Sequence, residues 1–233
     1  MMRYAISTIF GLLSVSCSGS DVCKSSPCIG VDVYYVSLCP YSAKFIKDQL
    51  MPSYPDLKNY LDVKFIPYGK AKYKMNGSNK YEFECQHGPN ECIANKAQIC
   101  GYEAILNSNK TFEDKKSSAV ELVGCAMSSA NPVTAVPGCA KSMGLSAEIR
   151  KNMTDCMNSE MGDRLLAAYG DKTYALTPTV QATGIPAVVI DHVYSPENHN
   201  AAIDNFKNLI CNRISEGKPT ICSKESNGII NVQ

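Results

Sequence analysis

The chain lacks a surplus of charge of either sign. Lys and Arg number 23 against 22 Asp and Glu in 233 residues, so nothing electrostatic points to nucleic acid or a strongly anionic membrane as partner. It lacks internal repeats and low-complexity segments. Beyond its first residues it lacks any run of roughly 18 apolar residues, the length a membrane helix needs. At Cys39-Pro40-Tyr41-Ser42 it lacks a second cysteine. A Cys-x-x-Cys pair at a strand-to-helix corner is the working end of a thiol–disulfide exchanger, the first sulfur attacking and the second resolving. Here Ser42 takes the resolving position, and one of the two usual sulfurs is missing.

What is present starts with a leader. Arg3 supplies a positive start, Ala5 to Val15 is mostly apolar and too short to span a bilayer, and small residues follow. Residues 1–18 are read as a signal peptide and 19–233 as a single domain. Ser14 is a poor lipid-box residue before Cys17, which argues against a lipoprotein. Three Asn-x-Ser/Thr sequons, at Asn76, Asn109 and Asn152, mark a glycoprotein behind that leader. The expected destination is secretion to the extracellular space, with an endolysosomal lumen as the alternative. If the leader takes Cys17, eleven of the twelve cysteines remain, an odd number. Ten can form five bridges, and Cys39 is the candidate for the free thiol because its usual partner position is Ser42. The spacing leaves the connectivity open.

The element pattern is α/β. Val31 to Val36 reads as a buried strand running into Cys39, with Pro40 at the first helical position. That helix carries Phe45, Ile46 and Leu50 on one face and is expected to stop near Pro52 and Pro55. A second strand is expected at Val63 to Ile66, completing a βαβ unit. From about residue 80 apolar residues recur at helical spacing. Ile93, Ala97 and Cys100 are expected on one face, Ser118 to Glu121 has the form of a capping box, and Ser146 can cap a further helix. Another helical stretch carries Met161, Leu165, Leu166 and Tyr169. Strands return at Pro186 to Ile190 and Val193-Tyr194, read as a hairpin, and Ser195-Pro196 opens a helix with Ile203, Phe206 and Ile210 inward. The outline is a thioredoxin-like fold, in parts about 29–75 and 180–222, interrupted by a disulfide-stapled all-helical insertion at about 76–178.

Three motifs carry chemistry. Cys39 stands at a helix start, where unpaired N–H groups and the positive dipole end stabilise a thiolate, and the Ser42 hydroxyl one turn on could donate to that sulfur. Gly184-Ile185-Pro186 precedes a strand, the position of a cis-proline facing the nucleophilic sulfur in thioredoxin-like proteins. The most specific string is Cys85-Gln86-His87-Gly88-Pro89-Asn90-Glu91-Cys92. An oxidising lumen removes the thiolates that zinc prefers, so a disulfide-bonded loop turned by Gly88 and Pro89 is expected there and a metal site is not.

The Cys-Gln-His-Gly-x-x-Glu-Cys string resembles the signature of the gamma-interferon-inducible lysosomal thiol reductase family. The segments Tyr35 to Phe45, Ile66 to Ala71, Cys156 to Arg164, Ile185-Pro186 and Gly217 to Cys222 also resemble that family, so the likeness runs over roughly 29–222. Membership implies a thioredoxin-like fold, a secreted or endolysosomal glycoprotein, and reduction of protein disulfides at acid pH without a cofactor. Ser42 departs from the family pattern. The expected function is therefore protein binding by a member whose dithiol activity is lost or strongly reduced. The alternative is a monothiol reductase or isomerase that uses Cys39, with glutathione or cysteine as the resolving thiol. The implied partner is a protein ligand or a disulfide-bonded protein substrate.

Overall fold

β-Branched and aromatic residues build the central strand. The computed structural model describes residues 22–223, and the leader expected at 1–18 lies outside the described residues. Strand β1, Ile29–Tyr35, is buried along nearly its whole length. It pairs parallel with β2, Leu61–Pro67, and antiparallel with β5, Ala187–Ile190, giving the sheet order β2-β1-β5. Val31, Val33 and Tyr35 point into one core with Phe45, Leu50, Phe206 and Ile210. Tyr34 and Ile66 face the other side, against Tyr68, Leu166 and Tyr169.

Between β1 and β2 the chain is helical almost throughout. Helix α1, Pro40–Lys44, passes through a π-helical segment, Phe45–Leu50, into α2, Met51–Leu57. The expected stop near Pro52 and Pro55 is not found. Pro52 stands where the π-helical segment passes into α2, and the helix continues through it. Pro55 lies inside α2, where burial of Ser53, Tyr54 and Leu57 overrides its local preference.

After β2 a short hairpin precedes the helices. Strand β3, Lys72–Met75, pairs antiparallel with β4, Tyr81–Glu84, so the block read as helical from about residue 80 is helical only from Pro89. It contains α3, Pro89–Leu106; α4, Phe112–Ser128; α5, Ala135–Ser142; α6, Ala147–Met157; and α7, Glu160–Tyr174. A short α8, Val180–Thr183, leads to β5. Helix α4 begins six residues before the proposed capping box. The Thr111 side chain accepts from the Asp114 N–H, while Ser118 is buried in mid-helix. Ser146 does cap α6, accepting from the Ile149 N–H.

Disulfides staple this block as expected. Cys100–Cys156 joins α3 to α6, and Cys125–Cys139 joins α4 to α5. Cys85–Cys92 closes the loop before α3, Cys23–Cys28 closes one before β1, and Cys211–Cys222 ties the end of α9, Pro196–Arg213, to α10, Thr220–Ser223. The expected hairpin after β5 is reduced to one bridge, Ile190 to Val193, because Asp191 and His192 both take left-handed φ and turn the chain at once. Ser195 caps α9 by accepting from the Asn198 N–H.

Candidate functional site

The site forms where β1 gives way to α1. The turn after β1 is closed by the Cys39 N–H donating to the Val36 carbonyl at 3.3 Å. Cys39 caps α1 with extended dihedrals, and Pro40 takes the first helical position. Room for the turn comes from Gly69. A Cβ there would lie 2.1 Å from Val36 Cγ1, and its φ of +60° is one that side chains rarely adopt.

Cys39 and Pro186 are 147 positions apart and meet at this corner. The Cys39 thiol lies 3.9 Å from the Ile185 carbonyl, which it faces as donor, and the Ile185-Pro186 peptide is cis. The meeting follows from the register, since β1 and β5 pair side by side and Tyr34 stands opposite Ala187, the residue after Pro186. Cys39 is 7% exposed and is the free cysteine among the described residues, the other ten being bridged.

Ser42 differs from expectation. It is fully buried on α1, and its hydroxyl has no hydrogen-bond partner, the Cys39 sulfur included. A buried hydroxyl without a partner is unfavourable by about 1–3 kcal/mol. Ser42 thus occupies the resolving position with its hydroxyl unpaired.

A groove of about 520 Å³ runs beside the cis-proline, lined by Tyr41, Lys44, Ile185, Pro186, His199 and Asp204 among others. Tyr41 is 74% exposed at its edge. His199, on α9, was not singled out from the sequence. Its Nδ1 accepts from the Val188 N–H at 3.3 Å, so Nε2 carries the ring proton. Burial lowers its pKa below the usual 6.5.

The signature string lies at the start of α3. Cys85 and Cys92 are bridged, so neither offers a thiolate to a metal. Gly88 caps α3 with φ 82°, and Pro89 takes the first position. Gln86 is exposed. The fully buried Glu91 carboxylate accepts from the His87 backbone N–H and pairs with His87 Nδ1. One turn further, Asn95 and Gln98 are buried and reach β1 and its turn: Asn95 accepts from Ser37, and Gln98 accepts from the Tyr35 hydroxyl at 2.6 Å. Ile93, expected on the inner face, is instead 48% exposed. The buried face of α3 is partly polar, so apolar spacing misassigns it. The same holds for Met161, exposed on α7 while Leu166 and Tyr169 are buried. Asn109 and Asn152 are exposed. Asn76 is half-buried in the β3–β4 turn, where its side-chain oxygen accepts from the Ser78 and Lys80 N–H groups.

A strand order with β2 parallel and β5 antiparallel to β1, a cysteine capping the helix after β1, and a cis-proline entering β5 define a thioredoxin-like protein. The model of the gamma interferon inducible lysosomal thiol reductase family matches residues 30–143. The chain is 32% identical over 219 residues to a gamma-interferon-inducible lysosomal thiol reductase-like protein of Anopheles gambiae, covering 92% of this chain and 86% of that protein. It is 31% identical over 204 residues to GILT-like protein 1 of Drosophila melanogaster, covering 85% and 80% respectively. It is 26% identical over 215 residues to the gamma-interferon-inducible lysosomal thiol reductase of Carassius auratus, covering 91% and 80%. The chain belongs to the gamma-interferon-inducible lysosomal thiol reductase family. No helix among the described residues is long and apolar enough to cross a membrane.

Proposed function

We propose that this chain is a secreted glycoprotein of the lysosomal thiol reductase family that has lost most dithiol reductase activity and acts by binding protein. Ser42 carries the reading. It occupies the resolving position, and each of the ten other described cysteines is committed to a bridge, so among the described residues no relocated thiol stands in for it. A serine hydroxyl does not attack sulfur usefully and forms no disulfide. A tethered thiol acts at an effective concentration of about 10⁵ M or more, whereas an external thiol is present at roughly millimolar levels, so resolution slows by many orders of magnitude. The groove beside Pro186 persists and would hold an extended chain. Asn76, Asn109 and Asn152 are its glycan acceptors, and the leader at 1–18 directs it out of the cell, with an endolysosomal lumen as the alternative destination.

A second reading is favoured by the unbridged state of Cys39. The Cys39 thiolate attacks a substrate disulfide, joins one sulfur and releases the other as a thiolate. Glutathione or cysteine then attacks the substrate sulfur of the mixed disulfide, freeing Cys39 as a thiolate and leaving its own sulfur on the substrate, from which a second molecule of the same thiol removes it as the small disulfide and releases the substrate thiolate. Reduction of insulin by purified protein separates the readings. Under the first, turnover stays near that of Cys39→Ser while a partner is still bound by Cys39→Ser. Turnover that depends on Cys39 and rises with glutathione establishes the second.

A further inference from the structure

The signature helix reaches the site corner directly. We propose that Asn95 is a positioning residue for Cys39: its side-chain carbonyl holds the turn from Val36 to Cys39, keeping the sulfur at the helix start and facing Ile185. The inference rests on the second of the two readings above, in which Cys39 is a working thiol.

Ser37 is the second residue of that turn and is 1% exposed. Its backbone N–H donates to Asn95 Oδ1 at 2.9 Å, and its hydroxyl donates to the same oxygen at 2.7 Å. Both donors of one turn residue therefore converge on one atom, 58 positions away in sequence. Asn95 is fully buried, so water does not compete for either bond. The amide orientation is fixed, because a backbone N–H can only donate and the atom facing it must be the oxygen. Asn95 Nδ2 is left buried and without a partner. A leucine of similar size would avoid that orphaned donor, so packing alone does not call for asparagine here. The acceptor does.

The turn is gripped from both sides. Val36 seats against the bare Cα of Gly69, and Ser37 hangs from Asn95. The signature segment thereby acquires a role. Glu91 fixes His87 in the loop before α3, and one helical turn later Asn95 carries that fixed position to the residue two before Cys39. Without the carbonyl, two buried donors in the turn lose their acceptor and the turn relaxes. The sulfur then leaves its place between the helix start and Ile185.

Alkylation of Cys39 by iodoacetamide, followed from acid to alkaline pH in the full glycosylated protein, tests this. Asn95→Leu is expected to react on the order of tenfold more slowly near neutrality, with its pH profile displaced upward. Ser37→Ala keeps the backbone bond and is expected to slow roughly threefold. The double variant is expected to match Asn95→Leu, since both changes remove the same contact. A folded Asn95→Leu with the wild-type profile overturns the proposal, even if its melting temperature falls, because that is a purely structural role. If Asn95→Leu does not fold, an unchanged profile in Ser37→Ala overturns it instead. Wild-type Cys39 that resists alkylation in the native protein overturns the reading of Cys39 and this inference together. Reactive wild type with unaffected variants overturns the inference alone.

Discussion

Ser42→Cys is the most direct perturbation of this site. The serine hydroxyl is fully buried and unpartnered, a situation that costs about 1–3 kcal/mol. A thiol is a weak hydrogen-bonder and relieves most of that. Its larger sulfur must fit a packed position, which offsets the gain by about 1 kcal/mol. The reduced variant should therefore lie within about 2 kcal/mol of wild type, or within roughly 8 °C in melting temperature for a domain of this size. Residues three apart on a helix have Cβ atoms about 5–6 Å apart, and a disulfide needs about 3.5–4.5 Å. A shift of roughly 1 Å in the Cys39 turn then closes a bridge. With a tethered resolving thiol, release of the mixed disulfide gains a factor of about 10⁸ over a millimolar external thiol. Attack becomes limiting, and insulin turnover should rise on the order of 100-fold or more. The assay is insulin reduction with dithiothreitol as the reductant, run beside Cys39→Ser and a thermal melt. Wild type turning over as fast as a folded Ser42→Cys would refute the reasoning, since the serine would then not be the missing step.

Three further outcomes follow from the same geometry. Gly69→Ala places a methyl group 2.1 Å from Val36 Cγ1 in a left-handed backbone conformation; it should cost about 2–5 kcal/mol in urea unfolding and slow Cys39 alkylation. Replacing both Cys100 and Cys156 by alanine opens a loop of 56 residues and should cost about 4 kcal/mol of unfolding free energy, against about 3 for the shorter Cys125–Cys139 loop. His199 has a pKa lowered by burial from 6.5, so between 6.5 and that lower value the unfolded chain binds a proton that the folded chain does not. Its contribution is thus present above pH 6.5 and lost as pH falls through the folded value, and His199→Gln should show a flatter decline in urea stability on acidification than wild type.

Much of the architecture was legible from local patterns. The β1 strand, Pro40 at the helix start, the Ser146 and Ser195 caps and the Cys85–Cys92 loop each depend on a few neighbouring residues, and short-range chemistry decides them. The odd cysteine count and Ser42 singled out Cys39 before any pairing was known, and a bridge tally leaves it free. The main misreadings have one cause. Apolar spacing assumes that buried faces are apolar, but α3 buries Glu91, Asn95 and Gln98 and exposes Ile93. Pro55 inside α2 is likewise a local rule overridden by packing, whereas α4 starts early because a different local cap, Thr111, precedes the one proposed.

The sequence by itself determined the chemistry available: one unpaired sulfur, a serine in the resolving position, and a proline before a late strand. Only the tertiary structure decided what that chemistry faces. The approach of Cys39 to Ile185, the groove with His199, the two-sided grip of Gly69 and Asn95 on the turn, and the orphaned Ser42 hydroxyl all join residues far apart along the chain. Such contacts depend on strand register and on which face of α3 meets β1, and these are fixed only when burial across the whole domain is satisfied at once.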